Sequence, residues 1–324
     1  MAKQPALSFL KSASLCNKPF GLIHYDIWGP APCPTVNGYR YFVLFINDYS
    51  CFTWIYFLRN RSSLYQIYVD FANRIQTQFS SKIKILRTDN AMEYKDSRFL
   101  SFLAQQGTLI QRSCPHTSQQ NGRAERKHRH ILDFIRAQLL SGSCPEKFWG
   151  EAVLTSVYVI NRLPSQVIHN ISPFERLYGT LPSYSHLKVF GCACFVLLHP
   201  HEHTKLEPRA RLCCFLGYGT KHKGFRCWDP ISQRLRISRH VTFWEHRMFS
   251  SLSSFHGFLV FLHFMPLYLV RTHSLLILLP LYFPLLIHHP TLHLVPHSHL
   301  SSLNLTLPPH SRTSHVTTQL SRLS

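Results

Sequence analysis

The sequence predicts a mixed α/β fold, in which helices cover a central sheet, followed by a small β domain and a low-complexity tail. Three observations lead to this prediction. Between residues 20 and 165, apolar side chains recur first at the spacing of strands and then alternately at the spacings of helices and strands. Over residues 187–246, short apolar runs are separated by glycine, proline and serine, which is typical of a small barrel. Beyond residue 246 the sequence contains no aspartate, glutamate or lysine.

The first three strands are expected to form an antiparallel meander. Residues 20–28 alternate in polarity, residues 39–48 form an almost continuous apolar run, and residues 52–58 are rich in aromatic and β-branched side chains. Asn47 and Asp48 provide the turn between the second and third strands. The acidic side chain of Asp48 is therefore assigned to the turn rather than to chemistry.

Helices and strands alternate in the next part of the chain. The helices are predicted from apolar stripes that recur every three to four residues, and the strands from short apolar runs between them. The predicted helices span residues 62–79, 96–107 and 121–142, and the predicted strands span residues 82–90 and 108–115. Three strands followed by this alternation predict one mixed sheet with helices packed on it.

Composition indicates an anionic partner and a reducing compartment. The formal net charge of the chain is +20, which favours nucleic acid as the partner. Ten cysteines occur without a CxxC pair, a pattern typical neither of a zinc knuckle nor of a disulfide framework.

Three carboxylates fall at comparable positions in the predicted fold. Asp26 lies within the first strand, Asp89 at the carboxyl end of the fourth strand, and Glu125 in the first turn of the third helix. Strand ends and a helix start can meet at one edge of a sheet, where three carboxylates would repel one another unless a cation such as Mg²⁺ compensated them. A pair of such ions could activate a water or a 3′-hydroxyl for phosphodiester chemistry, and the basic side chains around Glu125 could hold phosphates.

Each carboxylate also has a simpler interpretation. Asp26 could cap a turn or pair with a lysine, Asp89 and Asn90 form an ordinary turn dipeptide, and Glu125 would interact favourably with the dipole of its helix. Taken singly, these interpretations are at least as good as a catalytic role. The 35 residues between Asp89 and Glu125, within recognisable flanks, favour the catalytic interpretation.

Those flanks resemble a known family. The segments HYDIWGP, RTDNAMEY and SCPHTSQQNGRAERKHR are similar to the three catalytic blocks of integrases from Ty1/copia-type long-terminal-repeat retrotransposons, in the retroviral integrase superfamily. The resemblance covers about residues 17–246, and its last part is similar to the SH3-like β-barrel of that family. It implies a ribonuclease-H-like core with Asp26, Asp89 and Glu125 as the metal-binding catalytic triad. The implied reaction trims 3′ ends and transfers element DNA into a target strand without a covalent protein intermediate.

The resemblance also implies cofactors and partners. These are two Mg²⁺ or Mn²⁺ ions on the triad with no zinc site in this chain, DNA of the element ends and of the target, and further copies of the chain in a homo-oligomer. The implied location is the nucleus, with a cytoplasmic particle stage for an intact element and no membrane. The family's flexible loop before the third helix implies that Gln120 and Asn121 contact DNA, although Asn121 could instead cap the helix. Lys127 and Arg129 are the preferred phosphate contacts, although a solvated basic helix face would have the same sequence.

Several positions depart from the family pattern without removing a proposed metal ligand. Ala91 stands in place of a glycine, Ser118 in place of a proline, and Asn47 and Cys51 in place of an aspartate and an arginine. Glu93, although close to the second carboxylate in sequence, is expected to be a solvated loop acid.

Domain boundaries follow from the resemblance and from composition. We expect residues 1–16 to be the remainder of a linker after a missing zinc domain, 17–183 the integrase catalytic core, 184–246 the SH3-like β domain, and 247–324 a low-complexity tail that is disordered or out of frame. Apolar runs in that tail are long enough for membrane spans, but prolines and histidines interrupt them. The chain is therefore expected to be a fragment of a transposon Pol polyprotein. It is either an active integrase or a catalytically inactive DNA-binding relic.

Overall fold

A computed structural model describes residues 15–89, 96–114, 121–220 and 222–255, together with the backbone of two short strands further along the chain. The chain divides into two compact units, Met1–Met265 and Pro266–Ser324. In the second unit, the described part is an antiparallel pair of strands, Arg271–Thr272 and Leu275–Leu276. Both larger sheets and the candidate site lie in the first unit.

A five-stranded mixed sheet forms the centre of the N-terminal part of the first unit. Its strands are β1 (Leu22–Trp28), β2 (Tyr41–Asn47), β3 (Thr53–Leu58), β4 (Ile85–Thr88) and β5 (Leu109–Arg112), in the order β3-β2-β1-β4-β5. β2 is antiparallel to both β1 and β3, whereas β4 runs parallel to both β1 and β5. The predicted meander and the two predicted later strands are therefore confirmed, although β5 is shorter than the predicted 108–115.

The described residues form five α-helices. They are α1 (Leu64–Phe79), α2 (Ser97–Gln106), α3 (Gly122–Ser141), α4 (Trp149–Ile160) and α5 (Pro173–Tyr178). The start of α2 is capped by Asp96, whose carboxylate accepts a hydrogen bond from the backbone N–H of Arg98, and its end is capped by Gly107 in the left-handed conformation. The helices α1, α2 and α3 correspond to the predicted ones. Periodicity did not indicate α4, because most of its residues are buried and it has no polar face.

Apolar layers cover both faces of the first sheet. Ile23 and Tyr25 of β1 belong to the layer that contains α1 and α2. Asp26 faces the other side of β1, where α3 and α4 pack. Because β2 contributes Phe45 to the first layer and Leu44 to the second, its sequence is apolar without interruption.

A second five-stranded sheet follows and is antiparallel throughout. Its strands are β6 (Cys192–Leu197), β7 (Ala210–Tyr218), β8 (Phe225–Asp229), β9 (Arg234–Ser238) and β10 (Val241–Met248), in the order β10-β6-β7-β8-β9. The predicted β domain is present, but it extends beyond residue 246, so the predicted start of the tail at residue 247 is too early. β10 continues to Met248, and Phe249 and Phe255 are buried in an apolar core.

The second sheet shares that core with the helices of the first. Leu216 of β7 and Trp228 of β8 lie in the same apolar cluster as Val153 of α4. On the same helix, Glu151 accepts two hydrogen bonds from the guanidinium of Arg226 in β8, at 2.6 and 2.7 Å. The N-terminal part with the mixed sheet and the β domain are therefore joined by packing as well as by the chain.

Candidate active site

The first sheet brings Asp26 and Asp89 to adjacent positions. β1 and β4 are parallel neighbours with His24 opposite Arg87. Asp89 directly follows β4, so continuing this register by two residues sets Asp26 beside Asp89. Two of the three predicted site residues therefore lie on neighbouring segments of backbone.

The beginning of α3 lies across the same part of β1. The side-chain amide of Asn121 donates a hydrogen bond of 3.2 Å to the carbonyl oxygen of Tyr25, and His128 Nδ1 lies 3.1 Å from Asp26 Oδ2. Glu125 is about one helical turn from both Asn121 and His128, so these three residues share one face of α3. Glu125 therefore lies in the part of α3 that contacts the strand carrying Asp26.

The three carboxylates do not form a closed metal site. Across the described ranges, which include Asp26, Asp89 and Glu125, no group of three or more His, Cys, Asp or Glu side chains is arranged to hold a metal ion. Carboxylate oxygens are nevertheless the ligands that Mg²⁺ prefers. The chemistry of the donor set therefore fits a hard divalent cation, although the described side chains are not grouped as a metal site.

Hydrogen bonds within the chain occupy two of these carboxylates. Asp26 Oδ1 accepts from the backbone N–H of Ile27 at 2.9 Å, while its Oδ2 faces His128. Asp89 Oδ1 accepts from the hydroxyl of Thr88 at 3.4 Å. The side-chain contact of Asp26 is made to the helix that carries Glu125.

Asp48 has a larger role than the predicted turn. It follows β2 and is 3% exposed, and its Oδ1 is 2.8 Å from His24 Nε2 and 2.9 Å from Arg123 Nη1. Its Oδ2 accepts a hydrogen bond of 2.7 Å from the backbone N–H of Cys16. His24 precedes Asp26 by two residues, and Arg123 lies in the first turn of α3. Asp48 therefore connects the strand and the helix that form the candidate site.

Burial and hydrogen bonding both act on this buried group. Burial alone would raise the pKa of Asp48, but the hydrogen bonds from His24 and from the backbone of Cys16, together with the positive charge of Arg123, lower it below the ordinary value. Burial lowers the pKa of His24, and the positive charges of Arg87 and Arg123 act in the same direction against the effect of Asp48. A neutral His24 that donates to an ionised Asp48 is consistent with both shifts.

The predicted DNA contacts differ in accessibility. Arg129 is exposed on α3, as a phosphate contact requires. Lys127 is half-buried near Cys51, and burial lowers its pKa, with a further effect in the same direction from Arg123. Asn121 is 1% exposed and bonds to the backbone of β1. The structure therefore does not support a DNA contact by Asn121, and its side chain makes no capping hydrogen bond either.

Other residues named from the sequence lie outside the described ranges. They are Gln120, predicted to contact DNA, Glu93, predicted to be a solvated loop acid, and two departures from the family pattern, Ala91 and Ser118.

Sequence reasoning missed two contacts that link α3 to the sheet. The bond between Asp48 and Arg123 joins residues 75 positions apart, and the contact between Asp26 and His128 joins residues 102 positions apart. Nothing in local spacing indicates the first. His128 could have been identified, because it lies one turn after Glu125 on the face of α3 that meets β1.

Two families match successive parts of the chain. Residues 17–118 match the family described as "Integrase core domain", and residues 192–256 match "Retroviral polymerase SH3-like domain". The first match contains β1 to β5, and the second contains the whole second sheet.

Curated relatives are similar over most of the chain. "Retrovirus-related Pol polyprotein from transposon RE2" of Arabidopsis thaliana is 36% identical over 243 residues, which is 75% of this chain and 16% of the relative. "Retrovirus-related Pol polyprotein from transposon TNT 1-94" of Nicotiana tabacum is 37% identical over 244 residues, covering 75% of this chain and 18% of the relative. "Transposon Ty1-LR3 Gag-Pol polyprotein" of Saccharomyces cerevisiae is 29% identical over 195 residues, 59% of this chain and 11% of the relative. The chain therefore spans less than a fifth of the length of each of these relatives.

A solved structure with a weaker likeness is that of the simian T-cell lymphotropic virus intasome in complex with PP2A regulatory subunit B56 gamma. It has a TM-score of 0.43 and 12% sequence identity, and the match covers 71% of this chain and 80% of that one. Among the described residues, no helix has both the length and the apolar character that crossing a membrane requires.

Proposed function

The chain belongs to the integrase region of copia-type retrotransposon Pol polyproteins, and from this premise we propose that it cleaves and joins DNA phosphodiester bonds with the help of a divalent metal ion. The proposed reaction is removal of nucleotides from the 3′ ends of element DNA, followed by transfer of those ends into a target strand. The second proposed activity of the chain is sequence-tolerant binding of DNA through its basic surface.

The proposal is supported by the placement of three acidic residues on neighbouring elements of the first sheet and α3. Asp26 and Asp89 lie on neighbouring parallel strands or directly after them. Glu125 lies on the face of α3 that contacts β1 through Asn121 and His128. Three carboxylates without a covalent nucleophile among them favour metal-assisted phosphodiester chemistry over acyl transfer.

Asp26, Asp89 and Glu125 would hold the metal ion or ions. When bound there, Mg²⁺ or Mn²⁺ would activate a water or a 3′-hydroxyl and stabilise charge on the leaving oxygen. The residues of the chain would supply the rest: the three carboxylates fix the position of the cation, and exposed cations such as Arg129 hold the adjacent phosphates. Because no side chain is required as a nucleophile, no covalent protein–DNA intermediate forms.

An inactive DNA-binding relic is the second candidate. The observation in its favour is that the three carboxylates, as described, are not gathered around one point. This alternative predicts DNA binding that weakens strongly with salt and no metal-dependent cleavage even by the unmodified chain. For either candidate we propose that the chain acts in the nucleus and assembles with further copies of itself on DNA.

The decisive experiment measures strand transfer by the purified full chain on a labelled duplex that carries the element ends, in the presence of Mn²⁺. We expect Asp89→Asn and Glu125→Gln each to abolish the transfer product, because each removes a charged metal ligand without changing side-chain volume. Asp133→Asn is the matched control, since Asp133 is an exposed acid on α3 that pairs with Arg136.

Circular dichroism and the melting temperature of each variant establish that it is folded. Transfer that survives in folded Asp89→Asn or Glu125→Gln would contradict the assignment of the triad. Absence of transfer from the unmodified chain, with salt-sensitive DNA binding retained, would favour the relic.

A further inference from the structure

We propose that His128 is a positioning residue, which donates a hydrogen bond from Nδ1 to Asp26 Oδ2 and so fixes the orientation of that carboxylate at the candidate site. The inference rests on the proposed function, in which Asp26 is a metal ligand. His128 on α3 would thus orient a proposed metal ligand that belongs to β1.

The distance and the burial of the two groups carry the inference. His128 Nδ1 lies 3.1 Å from Asp26 Oδ2, and the two side chains are 8% and 19% exposed. A carboxylate only accepts hydrogen bonds, so the imidazole proton of this pair belongs to Nδ1. Because little solvent reaches the pair, the hydrogen bond is stronger than it would be on the surface.

Packing directs the ring of His128 at this one acceptor. The ring meets Phe42 edge-on, with centroids 5.4 Å apart. Its Nε2 is buried and has no hydrogen-bond partner among the described residues. The polar interaction of the imidazole is therefore concentrated on Asp26, and a buried nitrogen left in apolar surroundings is a cost that the contact with Asp26 must offset.

Both oxygens of Asp26 are consequently held in place. Oδ2 faces His128, and Oδ1 accepts from the backbone N–H of Ile27. One residue earlier, Asn121 fixes the carbonyl group of Tyr25 to the start of the same helix. Each carboxylate oxygen has two lone pairs, so these bonds leave capacity to bind an ion.

Such partners matter for metal affinity. Hydrogen bonds to a ligating carboxylate orient it in advance, and loss of an outer partner typically weakens metal binding about 10- to 100-fold. His128 also lies one turn after Glu125, so the same helix presents one proposed ligand and orients another. A shift of α3 along β1 would disturb both together.

Three variants test the inference in the full chain. His128→Phe keeps the ring and its packing on Phe42 but removes the donor. His128→Asn retains a side-chain N–H that can donate. His130→Phe is the matched control, because His130 is an exposed histidine on α3 whose ring packs on Phe134.

Two measurements are made, neither of which is catalytic. The dissociation constant for Mn²⁺ is determined by electron paramagnetic resonance, and the tautomer of His128 is determined in the metal-free protein by ¹⁵N NMR. We expect His128→Phe to weaken Mn²⁺ binding about 10- to 100-fold, with His128→Asn and His130→Phe close to the unmodified chain. We also expect His128 to carry its proton on Nδ1.

The outcomes separate this inference from the proposed function. Unchanged Mn²⁺ affinity in folded His128→Phe, or a proton on Nε2 in the unmodified chain, would overturn the positioning role. Mn²⁺ affinity that depends on His128 in a chain without strand transfer would contradict the proposed function and leave the positioning role in place. If His128→Phe does not fold, the tautomer still decides, because a proton on Nε2 would overturn the positioning role and a proton on Nδ1 would support it.

Discussion

Single acidic residues in this protein are stabilised by several donors at once, and Asp229 at the end of β8 is the clearest case. Its side chain is fully buried, and it accepts hydrogen bonds from Arg211, Arg236 and Ser232. Burial alone would raise the pKa of Asp229, but these hydrogen bonds outweigh it and lower the pKa to about 2. The charged form is thus favoured by the folded state.

This shift predicts a pH-dependent contribution to stability. A carboxyl whose pKa is lower in the folded than in the unfolded chain stabilises the fold above its unfolded pKa, about 3.9, and that contribution is lost as the pH falls through about 2. The lost free energy of unfolding is about 2 kcal/mol. We expect the difference in free energy of unfolding between the unmodified chain and Asp229→Asn, measured by urea denaturation, to be constant above pH 5 and to shrink below pH 4.

Asp70→Asn is the control for this measurement, because Asp70 is exposed on α1. A difference for Asp229→Asn that does not change between neutral pH and the acidic range would contradict the folded-state role of its charge.

At the scale of elements, the turn after β2 holds the start of α3. Asp48 in that turn bonds to His24 on β1 and to Arg123 in the first turn of the helix. α3 is therefore attached to β1 through Asp48, through the contact of His128 with Asp26 and through the hydrogen bond from Asn121 to Tyr25. The α3 residues that make these attachments lie close to Glu125 in sequence.

Removal of Asp48 should loosen that helix start. Asp48→Ala leaves Arg123 and His24 without their shared acceptor, and we expect it to lower the free energy of unfolding by about 3 kcal/mol. Amide hydrogen exchange, followed by mass spectrometry, should become faster in the first turn of α3 than in the unmodified chain. Exchange in α1, which packs in the apolar layer on the opposite face of the sheet from α3, should change less.

Asp133→Ala serves as the control, since it removes an exposed acid further along α3. Equal exchange rates at the start of α3 in Asp48→Ala and in the unmodified chain would show that the turn does not hold the helix.

Local sequence patterns predicted most strands and helices of the first sheet. Contacts between residues far apart in the chain could not be predicted from those patterns. β1 and β2 were recognisable because one alternates and the other is buried on both faces, and the end of α2 was recognisable from Gly107. α4 was not predicted, because it is buried on nearly every side and its sequence therefore lacks the helical alternation of apolar and polar residues. Among the candidate site residues, Asp26 was expected within the first strand and Glu125 in the first turn of α3, and both lie there. The side-chain geometry could not be predicted in this way, because it depends on contacts between residues far apart in the chain.

At the scale of the whole molecule, the β domain and the part with the mixed sheet form one packed body within the first unit. The apolar cluster that contains Leu216 and Trp228 of the second sheet also contains Val153 of α4. Beside it, the ion pair of Glu151 and Arg226 is 8% and 12% exposed. The prediction of two successive domains from the sequence did not include this shared interior, since each was inferred from its own periodicity.

The ion pair of Glu151 and Arg226 provides a test of whether the two sheets unfold together. Arg226→Met leaves the buried carboxylate of Glu151 unpaired, and we expect it to lower the free energy of unfolding by about 3 kcal/mol. The loss should appear at the same urea concentration by far-ultraviolet circular dichroism and by tryptophan fluorescence, because tryptophans occur on both sheets and on α4. Lys223→Met, which removes an exposed cation close to β8, is the control.

Two separate transitions, with only one of them shifted in Arg226→Met, would contradict a single cooperative interior. Coincident transitions that shift together would support it.

The apolar interior shared by the two sheets fixes their relative orientation within the first unit. Two domains joined only by a flexible linker can change their distance and orientation. Two domains that share a close-packed seam of apolar side chains cannot, because interiors are packed so tightly that even one methylene group matters. The distance and angle between the second sheet and the strand that carries Asp26 are therefore determined by the apolar side chains packed between them. Substitutions in the seam would alter that angle while leaving every charged side chain in place.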